Sequence, residues 1–328
     1  MSLWTINQKQ PLIYPLALNL NTPPPPRIAI VTDDPGWHGK RLREALATHG
    51  YDYRYISLTA CRLDLETENF PVGLPGFDDR LPDGVFVRGV PGGSLEQVVF
   101  YLDILHALSL LGIPVYNEGR AVERTVDKAM TSFLLHRAGI PTPPAWALAD
   151  PDAARHIAER ELSAGHGVVS KPLFGSQGQG LRRYQTLDDL AEFSPDNGLF
   201  YLQRFVHCGE QPHDFRVFVI GDKAVAAMRR CGVTWLNNVH QGARCEPVRL
   251  DNRLLCRLAE DAVKALDMGY AGVDIIRDEH GRYSVLEVNS IPAWKGLQSV
   301  SEVSIADLLV EDFLRRLPAR DTGAGALP

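Results

Sequence analysis

The chain of 328 residues has few of the features that mark membrane, nucleic-acid-binding or disulfide-rich proteins. Its five cysteines show no Cys-x-x-Cys spacing, so we expect reduced thiols in a cytoplasm rather than a zinc site or a disulfide framework. The formal net charge of -6, without a block of Lys or Arg, gives no reason to expect a nucleic-acid partner. No apolar run approaches the roughly 20 residues of a membrane-spanning helix. The short apolar stretch at 11–20 is not expected to be a signal peptide, because Pro15 breaks it and no basic segment precedes it.

The first third of the chain alternates between strand and helix patterns. Residues 1–26 end in Asn-Thr and four prolines, which predicts an extended arm before the first domain. Residues 27–120 then show apolar strand-like runs separated by helical patterns, including a helix over 94–112 with Ser94 as its N-cap. This alternation predicts an α/β domain in which helices cover a parallel sheet.

The pattern changes near residue 120. A helix is predicted over 123–139, and the glycine-rich segment 167–184 is predicted to form strand, turn and strand. Two β-hairpins are predicted, over 214–230 and 271–290. The last residues, 319–328, are expected to form a loose tail.

The stretch Val-Leu-Glu-Val-Asn-Ser-Ile-Pro carries two polar side chains in an apolar strand. Strand alternation places Glu287 and Asn289 on one face and directs Leu286 and Val288 towards a core. If the second hairpin closes, Asp274 lies opposite them. Oxygen ligands in this arrangement suit Mg²⁺. The alternative is that the two carboxylates form ordinary surface salt bridges.

A glycine-rich loop follows an apolar strand that ends in Lys171. Such a loop can turn backbone N–H groups towards phosphate oxygens while the lysine supplies a positive charge. A simple hairpin turn is the alternative interpretation, although a lysine inside an apolar strand would be costly without a partner. The loop residues concerned are Gly175, Ser176, Gln177, Gly178 and Gly180.

Two arginines lie on opposite arms of the first hairpin. Arg216 and Arg230 could each hold a phosphate or carboxylate with two parallel hydrogen bonds. The alternative for either residue is a surface arginine without a ligand.

Seven segments, taken in chain order, resemble the ATP-grasp superfamily and, within it, the RimK-like carboxylate–amine ligases. The resemblance covers about residues 84–317. It implies an ATP-grasp fold with an N-terminal parallel α/β domain over 27–120, a small lobe over 121–200 and a large lobe with the metal site over 201–318. The segments are VDKAMTSFLLHRAGIPTP, VVSKPLFGSQGQG, LQRFV, DFRVFVIGDKAVAAMRR, NNVHQGA, AGVDIIR and VLEVNSIPAWKGLQ.

The resemblance also implies roles for single residues. Lys128 and Lys171 would hold ATP phosphates, which the loop from Gly175 to Gly180 would cover. The backbone of Gln203, Arg204, Phe205 and Val206 would read adenine. Arg216 and Arg230 would lie near the transferred phosphate, and Lys171 is counted with them as catalytic. Asp274, Glu287 and Asn289 would hold two Mg²⁺ (or Mn²⁺) ions.

The sequence departs from the family pattern on the nucleotide side and on the substrate side of the site. Arg204 stands where the family often has an acidic residue, Trp235 to Asn238 replace a segment with a basic residue, and Lys295 replaces an acidic residue of RimK. Asp214 resembles the acid that usually follows the adenine linker.

The implied reaction is amide formation through an acyl phosphate, without a covalent enzyme nucleophile. We expect L-glutamate to be added to a small pterin- or furan-type one-carbon cofactor that enters beside Arg88, and we expect a homo-oligomer. Another amino acid, a protein C-terminus as acceptor, a small-molecule kinase and a non-catalytic nucleotide-binding protein stay open as alternatives. His240 could assist a proton transfer or serve a structural role.

Overall fold

The computed structural model describes residues 26–66, 71–175, 178–209, 211–232, 234–235 and 243–318. The predicted arm, except for Pro26, and the predicted tail therefore lie outside the described residues. Ser176, Gln177 and His240 lie outside them as well.

The first region is an α/β layer, as the strand–helix alternation predicts. Four parallel strands form its sheet in the order β2-β1-β5-β6, and β3 and β4 form a short antiparallel pair. Ser94 caps α2 by accepting a hydrogen bond from the backbone N–H of Gln97. The elements are β1 (Arg27–Val31), α1 (Gly36–Thr48), β2 (Asp52–Ile56), β3 (Arg62–Leu63), β4 (Val72–Gly73), β5 (Gly84–Val87), α2 (Leu95–Leu110) and β6 (Val115–Tyr116).

Strand β1 shows why this sheet is buried on both faces. Ile28 and Ile30 lie in one core with residues of α1, whereas Ala29 and Val31 lie in another core with residues of α2. The continuous apolar run in β1 is therefore required, because side chains on both faces are removed from water.

The prediction of one continuous helix over 123–139 is wrong, because two separate helices occupy the region. Helix α3 (Gly119–Val126) ends before Asp127, and α4 (Lys128–Arg137) begins after it. The Asp127 carboxylate accepts hydrogen bonds from the backbone N–H groups of Ala129 and Met130 at 2.8 and 3.0 Å. An aspartate that caps a new helix in this way interrupts the helical pattern without a proline or glycine.

The second sheet is antiparallel with the order β7-β10-β8-β9. The predicted strand–turn–strand over 167–184 is confirmed as β8 and β9, whereas β7 and α5 were not predicted. Residue 200, where the sequence places a domain boundary, is the first residue of β10, and the domain limits stay predictions. The elements are β7 (Ala145–Leu148), α5 (Pro151–Ser163), β8 (Val168–Lys171), β9 (Arg182–Tyr184) and β10 (Phe200–Arg204).

The third sheet is antiparallel with the order β13-β12-β11-β14-β15. Both predicted hairpins are confirmed, as β11 with β12 and β14 with β15. The edge strand β13 was not predicted. The elements are β11 (His213–Ile220), β12 (Lys223–Cys231), β13 (Arg244–Pro247), α6 (Arg253–Ala265), β14 (Tyr270–Arg277), β15 (Tyr283–Asn289), α7 (Lys295–Gln298) and α8 (Ile305–Arg315).

A register shift in the β14–β15 ladder changes which side chains reach each face. Asp274 pairs with Glu287, but the next residue, Ile275, pairs with Val285, so Leu286 is the extra residue of a bulge. Val288 packs in the core beneath α6, as predicted. Leu286 instead lines a cavity on the opposite face, which corrects the predicted strict alternation.

One core joins the first sheet to the third. Phe86 and Tyr116 from the first sheet pack with Phe218 and Tyr270 of the third sheet and with Phe313 of α8. Aromatic side chains at such a junction contribute large buried areas and edge-to-face contacts. None of the helices in the described ranges is long and apolar enough to cross a membrane.

We predict that Asp127→Ala lowers the free energy of unfolding by about 1 kcal/mol, because the first turn of α4 loses its capping acceptor. Urea unfolding at neutral pH measures the change. Asp127→Asn retains a side-chain acceptor and serves as the matched control, with a loss well below that of the alanine variant. Equal stability of the alanine variant and the unmodified protein would contradict the assigned cap.

Candidate active site

A cavity of about 800 Å³ lies where the second and third sheets meet the end of α1. Its volume is within the range of small-molecule sites, roughly 300–1,000 Å³. Residues of β8, β10, β11, β12, β14 and β15 line it, together with the segment that leads into α7. The cavity thus collects side chains from distant parts of the sequence.

The three predicted metal ligands all line this cavity. Asp274 and Glu287 are directly opposite each other on β14 and β15, and Asn289 lies opposite Gly272. The prediction that these side chains share one face of the hairpin is therefore confirmed. Asp274 is 6% exposed, which excludes the alternative of an ordinary surface carboxylate for this residue.

Both predicted arginines bind carboxylates of the same face. Arg216 donates from Nε and Nη2 to the two oxygens of Asp274 at 2.7 and 2.6 Å. Arg230 donates in the same way to Asp214 at 2.7 and 2.5 Å, and its Nη2 also lies 2.9 Å from Asp274 Oδ2. Arg230 is 6% exposed, so it is not a surface arginine. Each carboxylate therefore has a guanidinium partner that offsets its charge, although burial raises the pKa of the Asp214 carboxyl.

The arginines also set the protonation of this cluster. Burial opposes ionisation of Asp274, but the charges and hydrogen bonds of Arg216 and Arg230 outweigh it and hold the pKa of its carboxyl below the usual value. Burial likewise opposes the charge of Arg230, and Asp274 and Asp214 overcome it and raise the pKa of Arg230. Asp274 is therefore a carboxylate, and Arg230 carries a positive charge, at neutral pH.

The other two candidate ligands are available to a cation. Glu287 makes no hydrogen bond or ion pair with any described residue, and Asn289 only donates weakly from Nδ2 to the Gly272 carbonyl at 3.5 Å. The described residues contain no group of three or more His, Cys, Asp or Glu side chains that could hold a metal ion. Two carboxylates and an amide oxygen nevertheless fit Mg²⁺, which takes few protein ligands and completes its shell with water and phosphates. Asp274 is less available as a metal ligand, since both of its oxygens already accept hydrogen bonds from arginine.

The two predicted phosphate-binding lysines lie beside Glu287. Lys171 ends β8 and donates to Gln203 Oε1 at 2.7 Å, and Lys128 donates to the Gly175 carbonyl at 2.9 Å. Burial lowers the pKa of Lys171 to about 8, partly offset by the charge of Glu287. Burial also lowers the pKa of Lys128, against the same carboxylate. The structure thus brings Lys128, Lys171 and Glu287 into one electrostatic group.

Part of the glycine-rich loop reaches the cavity. Gly178 lines the cavity and has φ of 73°. Gly180 has φ of 71°, and a Cβ atom there would lie 2.7 Å from Cγ of Pro172. Glycine is therefore required at position 180 by both the backbone conformation and the space.

The four residues predicted to read adenine line the cavity next to this loop. Arg204, which departs from the family pattern, pairs with the buried Glu161 of α5 at 2.7 Å. Phe205 lies beneath the guanidinium of Arg183, whose Cζ is 3.6 Å from the ring centroid. The four residues are Gln203, Arg204, Phe205 and Val206.

His38 is a cavity residue that the sequence did not indicate. Its Nε2 accepts hydrogen bonds from the backbone N–H groups of Trp294 at 3.1 Å and Lys295 at 3.3 Å. Burial lowers its pKa to about 4, with further lowering by the charges of Arg88 and Lys295. A single histidine in an amphipathic helix, more than 250 residues before its partners, carries no sequence signal for this contact.

Comparison with solved structures identifies the fold as the ATP-grasp fold. The structure of the ATP-grasp ligase PsnB with minimal precursor, Mg and ADP matches with a TM-score of 0.68 at 20% identity, covering 89% of this chain and 97% of that one. D-alanyl-alanine synthetase A from Vibrio cholerae matches with a TM-score of 0.64 at 15% identity, over 89% of this chain and 98% of that one. At these identities the likeness establishes the fold alone.

The sequence comparisons give the family. The model of the RimK-like ATP-grasp domain matches residues 125–313, and the chain belongs to this family. Tetrahydromethanopterin:alpha-L-glutamate ligase of Methanococcus maripaludis is 35% identical over 88% of this chain and 98% of its own length. The protein of the same name from Methanocaldococcus jannaschii is 38% identical over 73% of this chain and 81% of its own. The protein is thus a ligase that forms carbon–nitrogen bonds.

We predict that the free energy of unfolding decreases as the pH falls from 6.5 towards 4, in part because of His38. In this window an unfolded histidine binds a proton, whereas folded His38 stays neutral to accept its two backbone hydrogen bonds, so protonation favours the unfolded chain. Urea unfolding at several pH values should give a shallower decrease for His38→Gln.

The exposed His156, changed to Gln, is the matched control and should leave the slope unchanged. Identical slopes for His38→Gln and the unmodified protein would contradict a neutral, buried His38.

Proposed function

We propose that the protein is an ATP- and Mg²⁺-dependent α-L-glutamate ligase whose acceptor is a carboxylate of a small pterin-type one-carbon cofactor. The observation that carries the proposal is the joint placement of Asp274, Glu287 and Asn289 in one cavity with Lys128 and Lys171 close to Glu287. The names of the two archaeal relatives support glutamate and the pterin-type acceptor. A furan-type acceptor, another amino acid and a protein C-terminus are outcomes that the test below distinguishes.

The nucleotide would occupy the end of the cavity that β8 and β10 line. Lys171 and Lys128 are held by Gln203 and the Gly175 carbonyl, so their ammonium groups are positioned before phosphate arrives. The backbone of the segment from Gln203 to Val206 would bind adenine, and the loop around Gly178 would close over the phosphates. Partial burial of both lysines strengthens their interaction with phosphate, because little water competes for them.

Glu287 and Asn289 are the residues that would hold Mg²⁺, with Asp274 as a further ligand if it shares its oxygens with the arginines. When bound, the ion neutralises charge on the triphosphate. Two ions, or Mn²⁺ in place of Mg²⁺, stay predictions.

The proposed reaction has two steps. First, an oxygen of the acceptor carboxylate attacks the γ-phosphorus of ATP, the bond to the β-phosphate oxygen breaks, and ADP leaves. Second, the amine of glutamate attacks the acyl carbon of the resulting acyl phosphate, and inorganic phosphate leaves as the amine loses a proton. No atom of the enzyme forms a covalent bond.

Arg216 and Arg230 would stabilise the charge that develops on the transferred phosphoryl group. Nη1 of Arg216 makes no hydrogen bond to a described residue, while its Nε and Nη2 are fixed by Asp274. A guanidinium fixed on one edge and open on the other is preorganised for a substrate oxygen.

The proposal predicts a new amide product when the protein is incubated with Mg-ATP, L-glutamate and a tetrahydromethanopterin-type acceptor. Mass spectrometry should show an acceptor heavier by one glutamyl residue, with stoichiometric ADP and no product without ATP. A furan-type acceptor, a C-terminal peptide and L-glutamine in place of L-glutamate are run in parallel. ADP formed with the acceptor alone, and without any amide in the presence of amines, would favour a kinase and contradict the ligase.

Glu287→Gln is the matching variant in this assay. It should lower turnover by roughly 100-fold or more, the scale of losing one preorganised charged group. Its far-UV circular dichroism should match that of the unmodified protein, because Glu287 forms no hydrogen bond or ion pair with a described residue. A small loss of thermal stability is expected, since Lys128 and Lys171 lose part of the charge that offsets their desolvation. Glu279→Gln, an exposed carboxylate in the turn of the same hairpin, is the control. Full activity of Glu287→Gln would overturn the metal assignment.

A further inference from the structure

The cavity continues beyond the candidate metal ligands. Strand β15 carries Leu286 and Glu287 in the cavity wall, then Asn289, and the chain continues through Ile291 to Lys295 along the same wall. Successive residues of a strand lie about 3.3 Å apart, so the order of these residues in the chain is also their order along the cavity wall. The acidic face therefore separates the proposed nucleotide end from a second end that contains Lys295.

Among the described residues that line the second end, Lys295 carries a charged side chain. It is the first residue of α7, it lies in the cavity wall, and it makes no ion pair with any described residue. Its backbone is fixed, because His38 accepts a hydrogen bond from its N–H at 3.3 Å. The ammonium group is therefore presented from a rigid backbone and is open to a ligand.

A second cation lies directly behind this wall. The guanidinium of Arg88 lies 4.6 Å from the ring centroid of Trp294 and donates from Nη1 to the Pro292 carbonyl at 3.2 Å. Its Nε is buried and has no hydrogen-bond partner among the described residues. Arg88 makes no ion pair with a carboxylate in the described part of the chain. A partly buried cation without a counter-charge is costly, and the cost falls if an anion binds nearby.

The electrostatic surroundings separate this end from the phosphate-binding end. Burial lowers the pKa of His38, and the charges of Arg88 and Lys295 lower it further. At the other end, the charge of Glu287 raises the pKa of Lys128 and Lys171 and so partly offsets the lowering by burial. The second end thus carries two positive groups, and neither forms an ion pair with a carboxylate of the described residues.

We propose that Lys295 binds a non-reacting carboxylate of a substrate, with Arg88 adding its charge from behind Trp294. This inference rests on the proposed ligase function and deepens it. The carboxylate that Lys295 binds belongs either to glutamate, whose amine is the reacting group, or to the acceptor, which would then carry a carboxylate besides the one that forms the amide. His38 is a positioning residue, since it holds the backbone of Lys295 and does not itself need to contact the ligand.

The test is steady-state kinetics of Lys295→Gln, with glutamate, acceptor and ATP varied in turn. We expect the KM of the substrate that Lys295 binds to rise by about 10-fold or more, the scale of one lost charged hydrogen bond, with the KM of ATP unchanged. A rise confined to glutamate assigns the carboxylate to the amino acid, and a rise confined to the acceptor assigns it to the acceptor. Unchanged KM values for both would overturn the proposal.

Two control variants distinguish the loss of the Lys295 charge from a general effect of changing a lysine. Lys295→Arg keeps the positive charge and should retain most of the affinity. Lys264→Gln removes an exposed lysine of α6 that does not line the cavity and should change no KM. If Lys295→Arg loses as much affinity as Lys295→Gln, the positive charge is not what binds the ligand, and the proposal fails.

A binding measurement separates failure of this inference from failure of the proposed function. Calorimetric titration of the full chain with glutarate and with its monoamide, in the presence of Mg-ADP, requires no turnover. Glutarate should bind more tightly than the monoamide, and Lys295→Gln should abolish the difference. If no ligation is found but this pattern holds, the carboxylate site stands without the glutamate ligase. No preference for glutarate in the unmodified protein would overturn it.

Discussion

The pairing of Asp274 with Glu287 is the contact on which the rest of the site depends. It occurs immediately before a one-residue bulge, so the register of β14 and β15 is fixed there and cannot slip without reversing which face carries the acids. Arg216, on the neighbouring strand β11, is opposite Asp274 and holds both of its oxygens. Carboxylates packed this closely on one sheet face would repel each other without such partners.

The sheet also explains the order of functions along the cavity. Apolar side chains and the segment proposed to bind adenine lie at one end, the arginine–aspartate cluster and Glu287 in the middle, and Lys295 at the other end. In the proposed reaction this order matches the reactants: the γ-phosphate would meet the acceptor carboxylate over the middle of the sheet. Burial strengthens each of these interactions, because the effective dielectric constant is lower than that of water.

Much of the fold could be predicted because period-two and helical patterns are local properties. The hairpins, the parallel sheet and the common face of Asp274, Glu287 and Asn289 followed from alternation and chain order. The bulge at Leu286 could not be predicted, since it depends on how β15 pairs with β14. The helix break at Asp127 could not be predicted either, since it depends on whether the Asp127 carboxylate caps α4. The contact of His38 with the Lys295 segment depends on tertiary packing between distant elements, which no local pattern records.

The central claim is that the cavity activates a carboxylate by phosphorylation, and isotope transfer tests it most directly. The acceptor is labelled with ¹⁸O at both oxygens of the carboxylate that forms the amide, and the inorganic phosphate released with Mg-ATP and glutamate is analysed by mass spectrometry. The account predicts one ¹⁸O atom in each phosphate, because the oxygen that attacks phosphorus leaves the acyl carbon with it. Phosphate without label, at the same yield of amide, would contradict an acyl phosphate and the function assigned to this site.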